Sequence, residues 1–316
     1  MSEGVGGGAG GLAGGVGPAG LVGHWWFGDV EVLAILETDQ AFSPDFMRTL
    51  LPDASRERVR AIDWLSPRWA HESGDLRFWT QTFVVRSAGR TLLIDTCLGN
   101  DKERRNPAFH RLATPFLDRL LAVGVRVGDV DLVVCTHLHF DHVGWNTRRD
   151  DAGRWVPTFP NARYLFSRRE WEHWGSRPGH AYVVADSIQP LFEAGLVDLV
   201  DLVGLVGLGE VDGLEDERWP LTDEVSLVPT PGHSPGHCSV LVESRGERAL
   251  ITGDLIHHPC QVAHPEWGGP ADTDGALALA TRQRVLSWAR ETQATIIGTH
   301  FAAPAAGRVH GTRFAP

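Results

Sequence analysis

Thr136-His137-Leu138-His139-Phe140-Asp141-His142-Val143-Gly144 places three imidazoles and one carboxylate within six consecutive positions of a 316-residue chain. The apolar run Val130-Asp131-Leu132-Val133-Val134-Cys135 stands directly before it and reads as a buried strand. A strand that feeds a tight loop of imidazoles and carboxylate is the pattern of a metal site, because these groups are the usual protein ligands of zinc and its neighbours. Four of them on one segment exceed what a single open ion takes, so two adjacent metals are expected from this loop alone. Buried without a metal or a partner, each group would cost free energy.

Upstream of the loop, ordered structure is expected from His24, with a strand at Val30–Glu37. Residues 42–73 form an excursion interrupted by Pro44, Pro52 and Pro67, whose Phe42, Phe46, Trp64 and Trp69 could either line a pocket or pack locally. Phe78–Val85 and Thr91–Asp95 read as a hairpin about Ser87–Arg90, and Pro107–Val123 reads as one amphipathic helix stopped by Gly124. Downstream, Arg163–Ser167 predicts a strand, Arg168–Trp174 a helix, and Ala181–Ala194 a second helix ending at Gly195. Leu196–Gly209 is rich in Val, Leu and Gly and is compatible with strand, turn, strand. Val225–Pro229, Ser239–Glu243, Arg248–Thr252 and Thr295–Gly298 read as strands, and Gly275–Thr292 as a long helix. Strand-then-helix units in both halves imply two mixed sheets with helices outside, packed as one domain.

Three further candidate ligands stand where apolar strands end: His233 in Gly232-His233-Ser234-Pro235-Gly236-His237, Asp254 after Gly253, and His300 after Thr299. Each sits beside small or turn-forming residues that let a metal approach. Asp95 is the expected acceptor for the second N–H of a ligating imidazole, with Thr136, Ser234 and Thr299 as weaker candidates.

Composition narrows the partners. Apolar residues make up 42% and charged residues 22%, which is ordinary for a globular protein. A net charge of −11 argues against nucleic acid or an anionic membrane as partner. The four cysteines, Cys97, Cys135, Cys238 and Cys260, are scattered without paired spacing and read as buried thiols of a cytoplasmic protein. Residues 1–23 are Gly-rich, lack an export signal and are expected to be a flexible tail before a single domain, 24–316. No apolar run reaches eighteen residues, so no transmembrane helix is expected.

In its HxHxDH loop and in the later positions of His233, Asp254 and His300, the chain resembles the metallo-β-lactamase superfamily. The resemblance implies an α/β fold, a four-layer αβ/βα sandwich, with a dinuclear centre between the sheets. It implies that His137, His139 and His233 hold one metal, that Asp141, His142 and His300 hold the other, and that Asp254 bridges them. The two divalent ions would be zinc in the first instance; iron, manganese or cobalt suit the same ligands. Paired cations share a hydroxide by lowering the pKa of water from 15.7 toward roughly 7, and one of them can polarise a carbonyl or phosphoryl oxygen. Asp254 and Asp141 are the expected catalytic carboxylates, with Asp141 either relaying a proton to the leaving oxygen or serving only as a ligand.

The carboxylate at Asp254 sets the chain apart from true β-lactamases. It is similar instead to the branch of lactonases and phosphotriesterases related to methyl parathion hydrolase. Trp145 stands where glyoxalase II carries a second glycine, and His257 stands where many lactonases carry tyrosine. The expectation is a metal-dependent hydrolase of a lactone, carboxylic ester or phosphotriester of a small apolar substrate. Trp145, His257, Trp64 and Trp267 are the candidate pocket residues. A glyoxalase-II-like thioesterase is the nearest alternative. A di-iron redox protein, disfavoured because no flavin domain follows His300, and a non-catalytic binding module are the alternatives of other classes. A homodimer is compatible with this reading.

Overall fold

The computed structural model describes residues 16–17, 20–202 and 218–316. The expected tail lies mostly outside them, as do residues 203–209 of the Val/Leu/Gly-rich segment. The chain is already a strand at Leu21, earlier than expected. Val22, Trp25 and Phe27 are buried, and the segment pairs antiparallel with Val30–Thr38, so a neighbouring strand orders what the glycine content alone would not.

Among the described residues two seven-stranded sheets form. The first contains β1 (Leu21–Phe27), β2 (Val30–Thr38), β3 (Thr80–Ser87), β4 (Arg90–Ile94), β5 (Leu132–Val134), β8 (Arg163–Ser167) and β9 (Val197–Val200), in that order. A two-stranded ribbon, β6 (Thr147–Arg149) and β7 (Trp155–Pro157), stands apart from it. The second sheet runs from β10 (Trp219–Pro220) through β11 (Val225–Pro229), β12 (Cys238–Ser244), β13 (Glu247–Ile251), β14 (Thr295–Ile297) and β15 (Ala306–His310) to β16 (Arg313–Ala315). Both sheets are mixed. β4, β5, β8 and β9 pair in parallel, as do β13 and β14, and the other ladders of the two sheets are antiparallel.

Alternation along the strands explains the layers. In β2, Val32, Ala34 and Leu36 join the core between the sheets, while Leu33 and Ile35 face the helical layer that holds Phe116 and Leu120. β4 divides the same way, Leu92 and Ile94 inward and Leu93 outward, and so does β5, with Val134 against Val133. A sheet apolar on both faces must be covered on both. The long helix Gly275–Thr292, capped by Asp274 on the Leu277 N–H, packs Val285, Leu286 and Ala289 into the core on the other side. The four-layer αβ/βα sandwich is therefore the observed fold.

Two helices differ from expectation. Pro107–Val123 is one turn at Pro107–Phe109 and then a helix at Phe116–Ala122, because Pro115 disfavours helical backbone at Thr114 and itself starts the second segment. Ala181–Glu193 is helical, but residues 184–188 take the wider π form. The strands β15 and β16 carried no strong sequence pattern. They are held by pairing to β14, with Val309 and Phe314 buried.

The ends of β4, β5, β11, β13 and β14 are followed by Asp95, the Thr136–His142 loop, the Thr230–His237 loop, Asp254 and His300 respectively. The Trp79 N–H donates to the His300 carbonyl, and Phe78 bridges to Phe301, so the sheets meet beside these ends. The loops that follow β4 and β5 are pressed together at Gly144: a Cβ there would lie 1.9 Å from the Leu98 carbonyl oxygen. Gly144→Ala is expected to destabilise the fold by about 1–3 kcal/mol through forced backbone displacement. An unchanged denaturation midpoint would show that the two loops are not locked together.

Candidate metal centre

Asp254, 5% exposed at the end of β13, stands at the centre of the imidazole cluster. Its Oδ1 lies 3.2 Å from His142 Nε2 and 3.1 Å from His300 Nε2, and its Oδ2 lies 3.7 Å from His137 Nε2 and 3.4 Å from His233 Nε2. His139 Nδ1 is 3.0 Å from both His137 Nε2 and His233 Nε2, and Asp141 Oδ2 is 3.7 Å from His300 Nε2. The structure thus brings together all seven side chains that the sequence singled out, in two groups on opposite oxygens of one carboxylate.

Hydrogen bonds on the outside of the cluster decide what its inside can do. His142 Nδ1 donates to Asp95 Oδ2 at 2.8 Å, His233 Nδ1 to Asp272 Oδ1 at 2.9 Å, and His300 Nδ1 to the Trp79 carbonyl at 2.8 Å. Thr136 Oγ1 gives its own proton to Asp95 Oδ2 and accepts from His137 Nδ1 at 3.1 Å. With the outer nitrogen acting as donor in each ring, the neutral tautomer leaves a lone pair on the inner one. Between His142 and His300 the inner lone pairs lie 3.2 Å apart and repel unless a positive charge sits between them. The donor set of imidazole nitrogen and carboxylate oxygen therefore fits a divalent cation at each position.

Charge follows the same logic. Burial, reinforced by neighbouring imidazoles, holds His137 and His139 well below the usual imidazole range, so both stay neutral. His142 goes the other way: burial opposes its charge, but Asp254 and Asp95 outweigh burial and raise it well above that range. Without a metal, a proton supplies the positive charge that the carboxylates demand.

The loops are held by buried carboxylates. Asp95, in left-handed backbone at φ 57°, accepts from the Thr136 N–H and hydroxyl as well as from His142. Glu37, 2% exposed, accepts from the Leu98 and Gly99 N–H groups and from Trp145 Nε1. His237 accepts the Asp254 N–H on Nε2 at 3.0 Å, which fixes the central carboxylate from behind. Ser234 and Thr299, the weaker hydroxyl candidates, are buried, and the Thr299 hydroxyl has no partner among the described residues.

The four pocket candidates separate. His257 belongs to the site: its Nε2 is 3.4 Å from Asp254 Oδ2, it is 3% exposed, and neither ring nitrogen has a hydrogen-bond partner among the described residues. His258 is used structurally, by the Trp69 carbonyl and the Cys260 N–H. Trp145 is interior rather than a pocket wall, stacked on Phe116 with its N–H on Glu37. Trp267 is likewise fully buried under His264, and Trp64 packs on Trp69. In their place Trp174 stands edge-on to His139 with ring centres 4.9 Å apart, Phe78 stacks on His300 at 4.1 Å, and Phe42 lies 5.9 Å from His300. Trp174 was missed because nothing local distinguishes it from the other tryptophans of the chain. Phe42 lies in the aromatic excursion already flagged.

The profile described as "Metallo-beta-lactamase superfamily" matches residues 80–300. The chain is 29% identical over 196 residues to the N-acyl homoserine lactonase AttM of Rhizobium radiobacter, a match covering 58% of this chain and 63% of that protein. In structure it resembles AidC, a dizinc quorum-quenching lactonase solved with the product N-hexnoyl-L-homoserine. That likeness has a TM-score of 0.69 and 21% identity, over 94% of this chain and 96% of AidC. It also resembles the hydrolase AbOPH at a TM-score of 0.71 and 24% identity, over 94% and 97% of the two chains. At those identities the two structures speak to the fold.

Glu37 offers a test of how the loops are held. Burial pushes its carboxyl up to about 6, against the hydrogen bonds from Leu98, Trp145 and Gly99. The folded state therefore keeps a proton that the unfolded chain releases at lower pH, and stability from this group is lost as pH rises between about 4.5 and 6. The loss amounts to about 2 kcal/mol. Glu37→Gln should remove that increment from the difference between urea midpoints at pH 4 and pH 7; an identical difference in both proteins would contradict the assignment.

Proposed function

The chain belongs to the metallo-beta-lactamase superfamily, and within it we propose a dinuclear metal-dependent hydrolase that opens a lactone or cleaves a related ester of a small apolar substrate. The observation that carries this reading is the convergence of imidazole lone pairs on the two oxygens of Asp254. On it, His137, His139 and His233 would hold one ion, Asp141, His142 and His300 the second, and Asp254 would serve both. Bound there, two divalent cations, zinc foremost, supply an activated water near neutral pH and a positive field for a developing oxyanion. Water attack on the ester carbonyl breaks the bond to the leaving oxygen, which takes up a proton.

The chain's own groups orient and protonate. Asp141, 8% exposed, is the carboxylate of the cluster placed to carry a proton to the leaving oxygen. His257, whose ring nitrogens lack a hydrogen-bond partner among the described residues and whose Nε2 lies 3.4 Å from Asp254 Oδ2, would donate a hydrogen bond to substrate oxygen. Trp174, Phe140 and Phe42 provide aromatic surface for an apolar substituent. AttM is named for N-acyl homoserine lactones, and such a lactone heads the substrate panel. Aryl esters and phosphotriesters follow, because aromatic surface beside the cluster suits their rings as well. Residues 24–316 act as one domain on this reading, and the partner is the small-molecule substrate. Among the described residues no helix is long and apolar enough to cross a membrane.

Removal of metal with a chelator should abolish turnover across the panel, and zinc, manganese or cobalt should restore it. Asp254→Ala should lower turnover by at least about 100-fold with loss of bound metal; undiminished hydrolysis in either case would refute the mechanism. His257→Leu should retain both metals and lose about 10²–10³ in kcat, the effect of deleting one oxyanion donor. An unchanged kcat would remove His257 from the chemistry.

A further inference from the structure

Glu170 is a fully buried carboxylate, and its partners are three N–H groups from three places around the cluster. Its Oε2 accepts from the Leu138 N–H at 3.2 Å, between His137 and His139 in sequence, and from Trp174 Nε1 at 2.9 Å. Its Oε1 accepts from the Gly236 N–H at 2.7 Å, three residues after His233. A Cβ at Gly236 would lie 2.6 Å from the Glu170 backbone nitrogen, so this glycine is what lets the second loop approach. The two loops follow β5 and β11, strands of different sheets.

We infer that Glu170 is a positioning residue that sets the distance between the two loops supplying His137, His139 and His233, and so tunes the affinity of that three-imidazole position. The inference rests on the metal-binding reading above. Burying a carboxylate is costly unless its oxygens are filled by donors, and here the donors are the backbone of both loops and the indole beside His139. The other position depends on different supports, Asp95 behind His142 and the Trp79 carbonyl behind His300. Glu170 touches neither of these.

Glu170→Gln keeps the shape but turns an amide NH2 toward an N–H donor. Cobalt(II) titration of the metal-free protein, followed by visible absorption, should show one of two sites weakened about 10–100-fold with the other unchanged. Melting of the two metal-free proteins is measured alongside, and the loss of affinity at that site should exceed what any change in metal-free stability accounts for. Two sites of wild-type affinity, or a loss of affinity matched by a loss of metal-free stability, would overturn the inference. Should the variant not fold, amide exchange in metal-free wild type decides. The Leu138 and Gly236 amides should exchange as slowly as those of β5 and β11; fast exchange until cobalt is added would show that the metal, and not Glu170, sets the loops. A wild-type protein that takes up no cobalt would sink the functional reading itself.

Discussion

Groups of like polarity held within hydrogen-bond distance in a dry interior are the constraint on which this molecule turns. The inner nitrogens of His137, His142, His233 and His300 surround one carboxylate and cannot satisfy one another once their outer nitrogens are committed as donors. Such an arrangement survives only if the surrounding fold holds it rigidly against its own repulsion, and if something positive completes it. Much of the neighbouring structure answers the first need. Asp95, Asp272, Glu37 and His237 are all buried or nearly so, and each spends its hydrogen bonds on a ligand-bearing segment or the loop packed beside it.

The sandwich serves the same need for rigidity by geometry. Strand ends from both sheets come to one edge, and strands fix direction over a few residues better than loops do. Trp174, Phe140, Phe78 and Phe42 then form aromatic surface around the cluster. On the proposed reading its shape would decide which esters reach Asp141 and His257, whereas the cluster itself would treat many esters alike.

How far the sequence could be read depended on whether a residue's role is local. The candidate ligands were legible because they crowd one loop after an apolar strand or stand singly where such a strand ends, and Gly275–Thr292 because its cap and period are local. Trp145 and Trp267 were not: an indole looks the same whether it lines a pocket or fills a core, and only Phe116 and Glu37, contributed by distant segments, show that Trp145 does the latter. Glu170 and Asp272 stayed invisible for the same reason. An isolated acid on a helix or loop carries no mark of the distant backbone it binds. The helix expected at Pro107–Val123 failed on a local signal that was present, Pro115, outweighed by apolar spacing that continued across it.

His137–His142 follow a strand of one sheet, while His233, Asp254 and His300 follow strands of the other. On the proposed reading, each ion is therefore a cross-link between halves that are otherwise joined by apolar packing and a limited set of hydrogen bonds. Ion affinity then enters the folding free energy directly, in proportion to the logarithm of free ion concentration over its dissociation constant. The supply of metal in the surroundings would set how long the polypeptide survives proteolysis as well as how fast it works, so scarcity would remove idle molecules instead of leaving them to accumulate.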